Sequence, residues 1–174
     1  MPNHCHNRVT FYSDDTTAIL KLHKVFSRAL KNDDNTETTK TVFGEFVPEP
    51  DWTKIPLTEN TVKEYSWDKP RGEIGECPKM IIDENKPFRN GLRFESSDVM
   101  DDRWYNWRVQ NWGTKWDCYD LTIEEDELPN GFQATFNTAW SPPEDIHAAI
   151  REKYPDVSIS WFYDEPGMEV AGYL

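Results

Sequence analysis

The sequence predicts an α+β fold in which helices cover one face of an antiparallel sheet. Apolar and polar residues alternate along residues 5–12 and 132–138, which is typical of strands with one buried face. Apolar residues recur every three or four positions along residues 19–30 and 146–154, which is typical of helices that pack on such a sheet. Aromatic residues make up 14% of the chain, so we expect a core built around rings.

The N-terminal part predicts a strand followed by a helix. In the strand, Val9 and Phe11 face one side of the sheet and Arg8 faces the other. Asp14 or Asp15 then caps a helix, because a carboxylate at this position accepts hydrogen bonds from the first free amides. The helix is expected to have about four turns, because apolar residues and a histidine recur at three- and four-residue spacing at Ile19, Leu20, Leu22, His23, Phe26 and Leu30.

Residues 48–98 predict a loop-rich insertion into a single domain that spans residues 1–174. The segment is rich in proline and in charge, and it lacks periodicity apart from a short strand expected near residues 79–82. A segment of this length without regular elements usually serves a function in a compact domain.

The C-terminal part predicts two helices and four strands. A helix over residues 100–112 ends at Gly113, and Ser141, which is followed by two prolines and a glutamate, caps the other helix. Strands are expected at residues 116–123, 132–138, 157–163 and 168–174. Without the insertion and the helix over residues 100–112, the order is βαββαβ plus an extra C-terminal strand. This order is the ferredoxin-like arrangement.

The formal net charge of −13, from 19 basic and 32 acidic residues, restricts the partners. Because nucleic acids and anionic membranes are themselves negative, we expect no direct binding to either and favour basic protein partners. No apolar run reaches the roughly 20 residues of a membrane span, and the N-terminus has no signal-peptide pattern. Cys5, Cys77 and Cys118 form no disulfide framework. The sequence therefore predicts a protein of the cytoplasm.

A tryptophan-rich segment over residues 104–116 allows two interpretations. In the structural one, Trp112 and Trp116 are core residues, and Asn111 and Asp117 bond to backbone at the turn. In the functional one, the segment forms a contact patch, because Trp, Tyr and Arg dominate protein interfaces. The candidate residues of this contact patch are Arg103, Trp104, Tyr105, Trp107, Arg108, Trp112, Lys115 and Trp116.

Five motifs near the two ends of the chain are specific enough to compare with a known family. They are MPN-x-C-x-N-x-V at residues 1–9, NWGTKWD at residues 111–117, TAWSPP at residues 138–143, EKYPD at residues 152–156 and EPGM-x-x-AG at residues 165–172. Together they resemble the phage and plasmid YubB-type proteins that have a ferredoxin-like domain. His4 stands where the pattern of that family usually has Trp. The resemblance implies the ferredoxin-like fold, a bacterial host cell and an accessory role without a settled activity.

The expected function is that of a non-enzymatic accessory protein of a phage or plasmid that binds a host protein. The expected target is a nucleic-acid-binding defence component, inhibited in the manner of an anti-CRISPR or anti-restriction protein by carboxylates that take the place of phosphates. The candidate acidic residues are Asp101, Asp102, Glu124, Glu125, Asp126 and Glu127. The alternative function is a binder of a nucleotide signal or another small ligand in an aromatic pocket with Arg103, Arg108 and Lys115.

No catalytic motif, metal or cofactor is predicted. The chain lacks a P-loop, a GxGxxG and a GxSxG motif. His4 and His6 share one strand face and Cys5 lies on the other, which supplies too few ligands for zinc, and three scattered cysteines cannot hold an iron–sulfur cluster. The enzymatic alternative is a hydrolase or tautomerase that uses Pro2 as an N-terminal amine, or scattered acids, for its chemistry.

Overall fold

The computed structural model describes residues 3–30, 41–52, 62–64, 80–82, 92–94, 99–101, 103–124 and 130–174. Its elements are β1 (His4–Tyr12), α1 (Thr16–Leu30), a 3-10 turn (Phe43–Glu45), β2 (Val62–Glu64), β3 (Met80–Ile82), β4 (Leu92–Phe94), β5 (Val99–Asp101), α2 (Arg103–Trp112), β6 (Tyr119–Glu124), β7 (Gly131–Ala139), α3 (Glu144–Lys153), β8 (Ser158–Glu165) and β9 (Val170–Tyr173). In the part of the chain so described, no helix is long and apolar enough to cross a bilayer.

The chain divides into two compact units. The first consists of Met1–Pro48 and Arg108–Leu174, and the second is Glu49–Trp107. The predicted insertion, residues 48–98, lies in the second unit except for its first residue. The prediction that both units form a single domain stays a prediction.

The first unit is built on a five-stranded antiparallel sheet with the strand order β6-β7-β1-β8-β9. Strand β1 is central and pairs with β7 on one side and with β8 on the other. The connection β1-α1-β6-β7-α3-β8 is the ferredoxin-like arrangement, and β9 adds an edge strand beside β8. The predicted fold class, including the extra C-terminal strand, is therefore confirmed.

The core of this unit lies between the helices and one face of the sheet. Phe26 of α1 packs on Phe11 and Phe132, with ring centroids 5.5 and 6.0 Å apart, respectively. His147 of α3 packs edge-on against Trp161 of β8 at 5.7 Å. Because both helices contact rings on the same sheet face, the opposite face keeps exposed side chains such as His4, His6 and Arg8. We call the exposed side the open face.

The second unit contains two short strand pairs. Strand β2 pairs with β5, and β3 pairs with β4. The strand predicted near residues 79–82 is confirmed by β3. The helix predicted over residues 100–112 begins later, at Arg103, because residues 99–101 pair as a strand with residues 62–64.

The two predicted helix caps have different outcomes. The amide of Thr17 donates to Asp15 Oδ1 at 2.9 Å, so Asp15 caps α1 as predicted. The prediction for Ser141 is wrong, since α3 begins at Glu144 after Pro143 and has no side-chain cap. Ser141 lies three residues before the helix, and its hydroxyl donates to the carbonyl of Gly113 at 2.6 Å instead.

Gly113 ends α2 in the left-handed region, with φ of 79°. A Cβ at this position would lie 3.0 Å from the amide nitrogen of Glu144 and 3.2 Å from the carbonyl oxygen of Pro142. We expect Gly113→Ala to lower the free energy of unfolding by about 1–3 kcal/mol, because alanine, unlike glycine, is strained at this φ and the atoms nearest to its Cβ belong to the main chain. Urea denaturation followed by circular dichroism measures the change.

Gly172→Ala is the matched control, since the nearest atom to its added Cβ is the side-chain Oη of Tyr163 at 3.3 Å, and this side chain can adjust. Equal stability losses for the two variants would contradict the role assigned to the turn at Gly113.

Candidate functional site

Two motifs of the sequence, residues 111–117 and 138–143, are joined by hydrogen bonds. The hydroxyl of Thr114 donates to the carbonyl of Ala139 at 2.9 Å, and that of Ser141 donates to the carbonyl of Gly113 at 2.6 Å. Thr114 is almost completely buried. These bonds hold the end of α2 against the end of β7, so the first role of both motifs is structural.

Trp112 is a core residue of the first unit. Its side chain is 0% exposed, it packs edge-on against Phe43 at 5.8 Å, and its indole Nε1 donates to the carbonyl of Val47 at 2.8 Å. The prediction that Trp112 belongs to the contact patch is therefore wrong, because a ring without accessible surface cannot contact a partner. The structural interpretation of Trp112 is the right one.

Asp117 joins the same turn to the segment before the second unit. Its Oδ2 accepts a hydrogen bond from the amide of Val42 at 2.7 Å, and its Oδ1 accepts one from the amide of Phe43 at 3.0 Å. Burial raises the pKa of Asp117 to about 6, against these hydrogen bonds and the positive charge of Arg108. The predicted bond from Asp117 to backbone is confirmed.

The N-terminal half of the predicted contact patch belongs to the second unit. There, Arg103 is only 6% exposed, and its guanidinium lies over the ring of Trp52 at 5.5 Å. Trp107 packs edge-on against the same ring at 6.4 Å, and Trp104 packs edge-on against Tyr105 at 5.9 Å. The prediction that Arg103 belongs to a contact patch is therefore wrong, because its side chain is buried and contacts Trp52 of the same unit.

The C-terminal half of the predicted contact patch belongs to the first unit. The guanidinium of Arg108 lies over Trp112 at 4.6 Å. Lys115 and Trp116 are both partly exposed and contact each other, with the ammonium 4.2 Å from the ring centroid. Of the eight predicted residues, these two form a surface contact in this unit.

Lys115 and Trp116 belong to a cluster at one end of the sheet, which we call the aromatic rim. The ammonium of Lys115 also lies 3.9 Å from the ring centroid of Trp140. Trp116 packs edge-on against Tyr119 at 6.2 Å, and Tyr119 packs edge-on against His4 at 5.8 Å. His4 Nδ1 and the hydroxyl of Tyr119 are 2.6 Å apart and share a hydrogen bond. The rim is thus a continuous row of five side chains.

Trp140 is the rim residue that the sequence interpretation missed. It is 40% exposed and has φ of 71°, a left-handed conformation that is unusual for a bulky residue. Its amide donates to the carbonyl of Asn3 at 3.0 Å, which holds it beside the start of β1. The signal was present in the TAWSPP motif, in which a tryptophan directly follows the end of a strand.

A shallow groove of about 350 Å³ lies on the open face beside the rim. We call it the open-face groove, and its lining residues are His6, Asn7, Arg8, Asp120, Thr135, Phe136, Asn137, Phe162 and Asp164. The sequence placed Arg8 on this face, but it did not assign any of these residues to a site. They come from four strands, so their proximity follows from the strand order and not from the sequence spacing.

A chain of hydrogen bonds fixes one wall of the open-face groove. Asn137 Nδ2 donates to Asp120 Oδ2 at 3.1 Å, and the amide oxygen of Asn137 lies 2.6 Å from His6 Nδ1. Because an amide oxygen only accepts, this arrangement places a proton on His6 Nδ1. Asp120 has φ of 52° at an irregularity in the pairing of β6 with β7, a device that re-aims a side chain.

The opposite wall of the open-face groove is aromatic. The guanidinium of Arg8 lies over the ring of Phe162 at 5.4 Å. Phe162 packs edge-on against Tyr173 of β9 at 5.3 Å, and Tyr173 is 69% exposed. The groove therefore combines a cation on an aromatic ring with two carboxylates, Asp120 and Asp164.

Few of the predicted acidic residues lie in described parts of the chain. Glu124 is exposed at the end of β6, where its Oε2 accepts a hydrogen bond from Gln133 Nε2 at 3.0 Å. Asp101 ends β5 in the second unit. Asp102, Glu125, Asp126 and Glu127 lie outside the described residues, as do Pro2 and Cys77.

The metal and cysteine predictions concern mainly β1. His4 and His6 are exposed and Cys5 is buried, so the predicted alternation of faces is confirmed. Burial raises the pKa of Cys5 to about 11, which makes it a poor nucleophile at neutral pH. Within the described ranges, no group of three or more His, Cys, Asp or Glu side chains is placed to hold a metal ion.

Comparison with known proteins supports the fold of the C-terminal part. Residues 112–174 match the family model described as "Ferredoxin-like domain in Api92-like protein". The crystal structure of a protein api92 from Yersinia pseudotuberculosis is similar over 99% of this chain and 93% of that chain, with 9% sequence identity and a TM-score of 0.45. No curated protein matches. The part of the chain from Trp112 to Leu174 is therefore similar to the ferredoxin-like domain of Api92-like proteins.

Proposed function

We propose that this protein is a non-enzymatic accessory protein that binds a basic partner protein through the aromatic rim. The observation that carries the proposal is the position of Lys115, whose ammonium lies against both Trp116 and Trp140 on the surface. A partly exposed indole pair held around a cation is ordered before a partner arrives. Little side-chain entropy is then lost on binding.

The residue types of the rim support a protein partner. Tryptophan and tyrosine are enriched among the residues that carry most of the energy of protein interfaces. Trp140 and Trp116 offer ring area, and Tyr119 and His4 offer polar atoms beside it. Burial and the neighbouring charge of Asp120 raise the pKa of Tyr119, so its hydroxyl stays protonated near neutral pH.

The charge of the chain supports a basic partner. A formal net charge of −13 attracts a positive surface at long range and speeds association at low salt. The YubB-type resemblance leads to the finer proposal of a phage or plasmid protein that acts in the bacterial cytoplasm on a nucleic-acid-binding defence component.

Affinity capture followed by a binding assay tests this function. Immobilised wild-type protein is incubated with bacterial lysate at low and moderate salt, and a captured basic protein is purified and titrated against wild type and Trp140→Ala. We expect the Kd to rise at least about tenfold for the variant, the change typical of a central interface tryptophan. We also expect the Kd of wild type to rise with salt.

Leu20→Ala is the matched control, because Leu20 is an exposed apolar residue of α1 and not part of the rim. Its Kd should equal that of wild type. Capture of no basic protein at either salt concentration, or equal affinities of wild type and Trp140→Ala, would refute the proposal.

A second candidate function is the binding of a small ligand. The observation that favours it is the open-face groove, which is lined by a cation. Two of the cations expected to line a ligand pocket, Arg108 and Lys115, lie against tryptophan rings. The open-face groove instead presents Arg8, a cation that the sequence did not assign to any site.

A further inference from the structure

We propose that the open-face groove binds a zwitterionic small molecule with an aromatic body, of the class of the aromatic amino acids. In this assignment Arg8 takes the anionic group of the ligand, Asp164 takes its ammonium group, and Phe162 contacts its ring. The site is distinct from the aromatic rim, so the proposal does not depend on the proposed protein partner.

The first observation that supports the proposal is the environment of the Arg8 guanidinium. Among the described residues no carboxylate lies within ion-pair distance of its guanidinium, although the chain has 32 acidic residues. By contrast, Arg28 pairs with Glu45 at 3.1 Å. Guanidinium groups bind carboxylates in a two-pronged geometry. The guanidinium of Arg8 lies over the ring of Phe162 at 5.4 Å, and within the described ranges its N–H donors have no hydrogen-bond partner, so they are available to a ligand.

The second observation is the position of the Asp164 carboxylate relative to Arg8. In the register of β1 with β8, Arg8 lies opposite Phe162 and His6 lies opposite Asp164, so Arg8 and Asp164 are diagonal neighbours. Their carboxylate and guanidinium nevertheless make no ion pair, and within the described ranges the side chain of Asp164 accepts no hydrogen bond. Diagonal neighbours lie roughly 7–8 Å apart. A ligand whose carboxylate and ammonium are one carbon apart fits between two such charges.

Asp120 adds a negative charge at the other end of the groove, on β6, and strands β7 and β1 lie between it and Asp164. One of its oxygens accepts a hydrogen bond from Asn137 Nδ2. Its left-handed backbone costs free energy that an ordinary strand would not incur. This conformation turns the carboxylate onto the open face, toward the groove that it lines.

The combined charges select the class of ligand. A simple anion would meet Arg8 but also two carboxylates, and a simple cation would meet the carboxylates but also Arg8. A zwitterion satisfies both signs. The volume of about 350 Å³ is in the range of known small-molecule sites, and the Phe162–Tyr173 pair supplies an aromatic surface for a ring.

Three related probes test the inference on the intact chain. L-Phenylalanine carries the ring, the carboxylate and the ammonium, whereas 3-phenylpropionate lacks the ammonium and 2-phenylethylamine lacks the carboxylate. Each is titrated into 15N-labelled protein while the amide shifts of β1 and β8 are followed. We expect L-phenylalanine to bind with a Kd of about 1 mM or tighter, the order expected for its size. We expect each of the other probes to bind at least about fivefold more weakly.

Two variants assign the charges. In Arg8→Met, L-phenylalanine should lose its advantage over 2-phenylethylamine, and in Asp164→Asn it should lose its advantage over 3-phenylpropionate. The matched controls are Arg151→Met and Asp156→Asn, which replace exposed charges outside the groove and should leave the affinities unchanged.

The outcomes are decisive in either direction. The predicted order of the three probes, with shifts confined to the groove, supports the inference even if a variant fails to fold. Absence of saturable binding by L-phenylalanine overturns it, as does equal or tighter binding of 3-phenylpropionate or 2-phenylethylamine. None of these results affects the capture of a protein by the aromatic rim.

Discussion

Trp112→Ala is expected to lower the free energy of unfolding by about 3–5 kcal/mol, whereas Trp116→Ala lowers it by less than about 1.5 kcal/mol. The two residues belong to the same NWGTKWD motif but differ in environment. Trp112 has no accessible surface, and Trp116 lies partly exposed in the aromatic rim. Urea denaturation of both variants, followed by far-ultraviolet circular dichroism, measures the difference.

The large effect at Trp112 has two physical sources. Alanine would leave a cavity beside Phe43, since a truncated core is only partly refilled by its neighbours. It would also remove the donor to the carbonyl of Val47. Trp112→Phe separates the two, because phenylalanine keeps most of the apolar contact and loses the hydrogen bond. We expect it to cost about 1–3 kcal/mol.

The comparison decides between the two interpretations of the tryptophan-rich segment. A small loss at Trp112 together with a large loss at Trp116 would mean that their roles are reversed. Trp116→Ala should instead reduce the binding of a partner protein, because the rim would lose one of the two rings that hold Lys115.

The fold was predictable from the sequence because its signals are local. Alternation along β1 and β7 identifies strands, and the cap at Asp15 and the glycine at residue 113 mark helix ends. The order of elements then leaves few topologies. The cap at Ser141 was mispredicted because two successive prolines moved the helix start, and the hydroxyl found a partner, Gly113, that is distant in sequence.

The candidate site was predictable only in part because its residues meet through the strand order. Arg8 and Phe162 are far apart in sequence and become neighbours because β1 pairs with β8. Likewise, Trp140 reaches Lys115 because the turns that follow α2 and β7 are bonded together. A density of tryptophans does not reveal which rings are buried, and Trp112 and Trp116 differ although they are one helical turn apart in sequence.

Asp117→Ala is expected to lower the free energy of unfolding by about 2–5 kcal/mol at neutral pH. The carboxylate accepts hydrogen bonds from the amides of Val42 and Phe43, and alanine leaves both donors without this partner. Each unsatisfied buried donor costs about 1–3 kcal/mol. Asp156→Ala, at an exposed position, is the control and should change stability by less than about 0.5 kcal/mol. Similar losses for the two variants would contradict the anchoring role of Asp117.

The pH dependence of stability provides a separate test of Asp117. Burial raises its pKa from 3.8 to about 6, although three backbone amides and Arg108 favour the charged form. The folded protein then binds this proton more tightly than the unfolded chain does. The resulting stability is fully present below about pH 4 and is lost as the pH rises through about 6.

Asp117→Asn cannot titrate, so the stability difference between wild type and this variant isolates the contribution of the carboxyl group. We expect the advantage of wild type over Asp117→Asn to shrink by roughly 1–3 kcal/mol between pH 4.5 and pH 7.5, which urea denaturation at four pH values measures. An advantage that grows with pH would show the opposite balance, in which the amides of Val42 and Phe43 and the charge of Arg108 outweigh burial. Because wild type and Asp117→Asn share every other titratable group, the difference between their pH slopes reports on Asp117 alone.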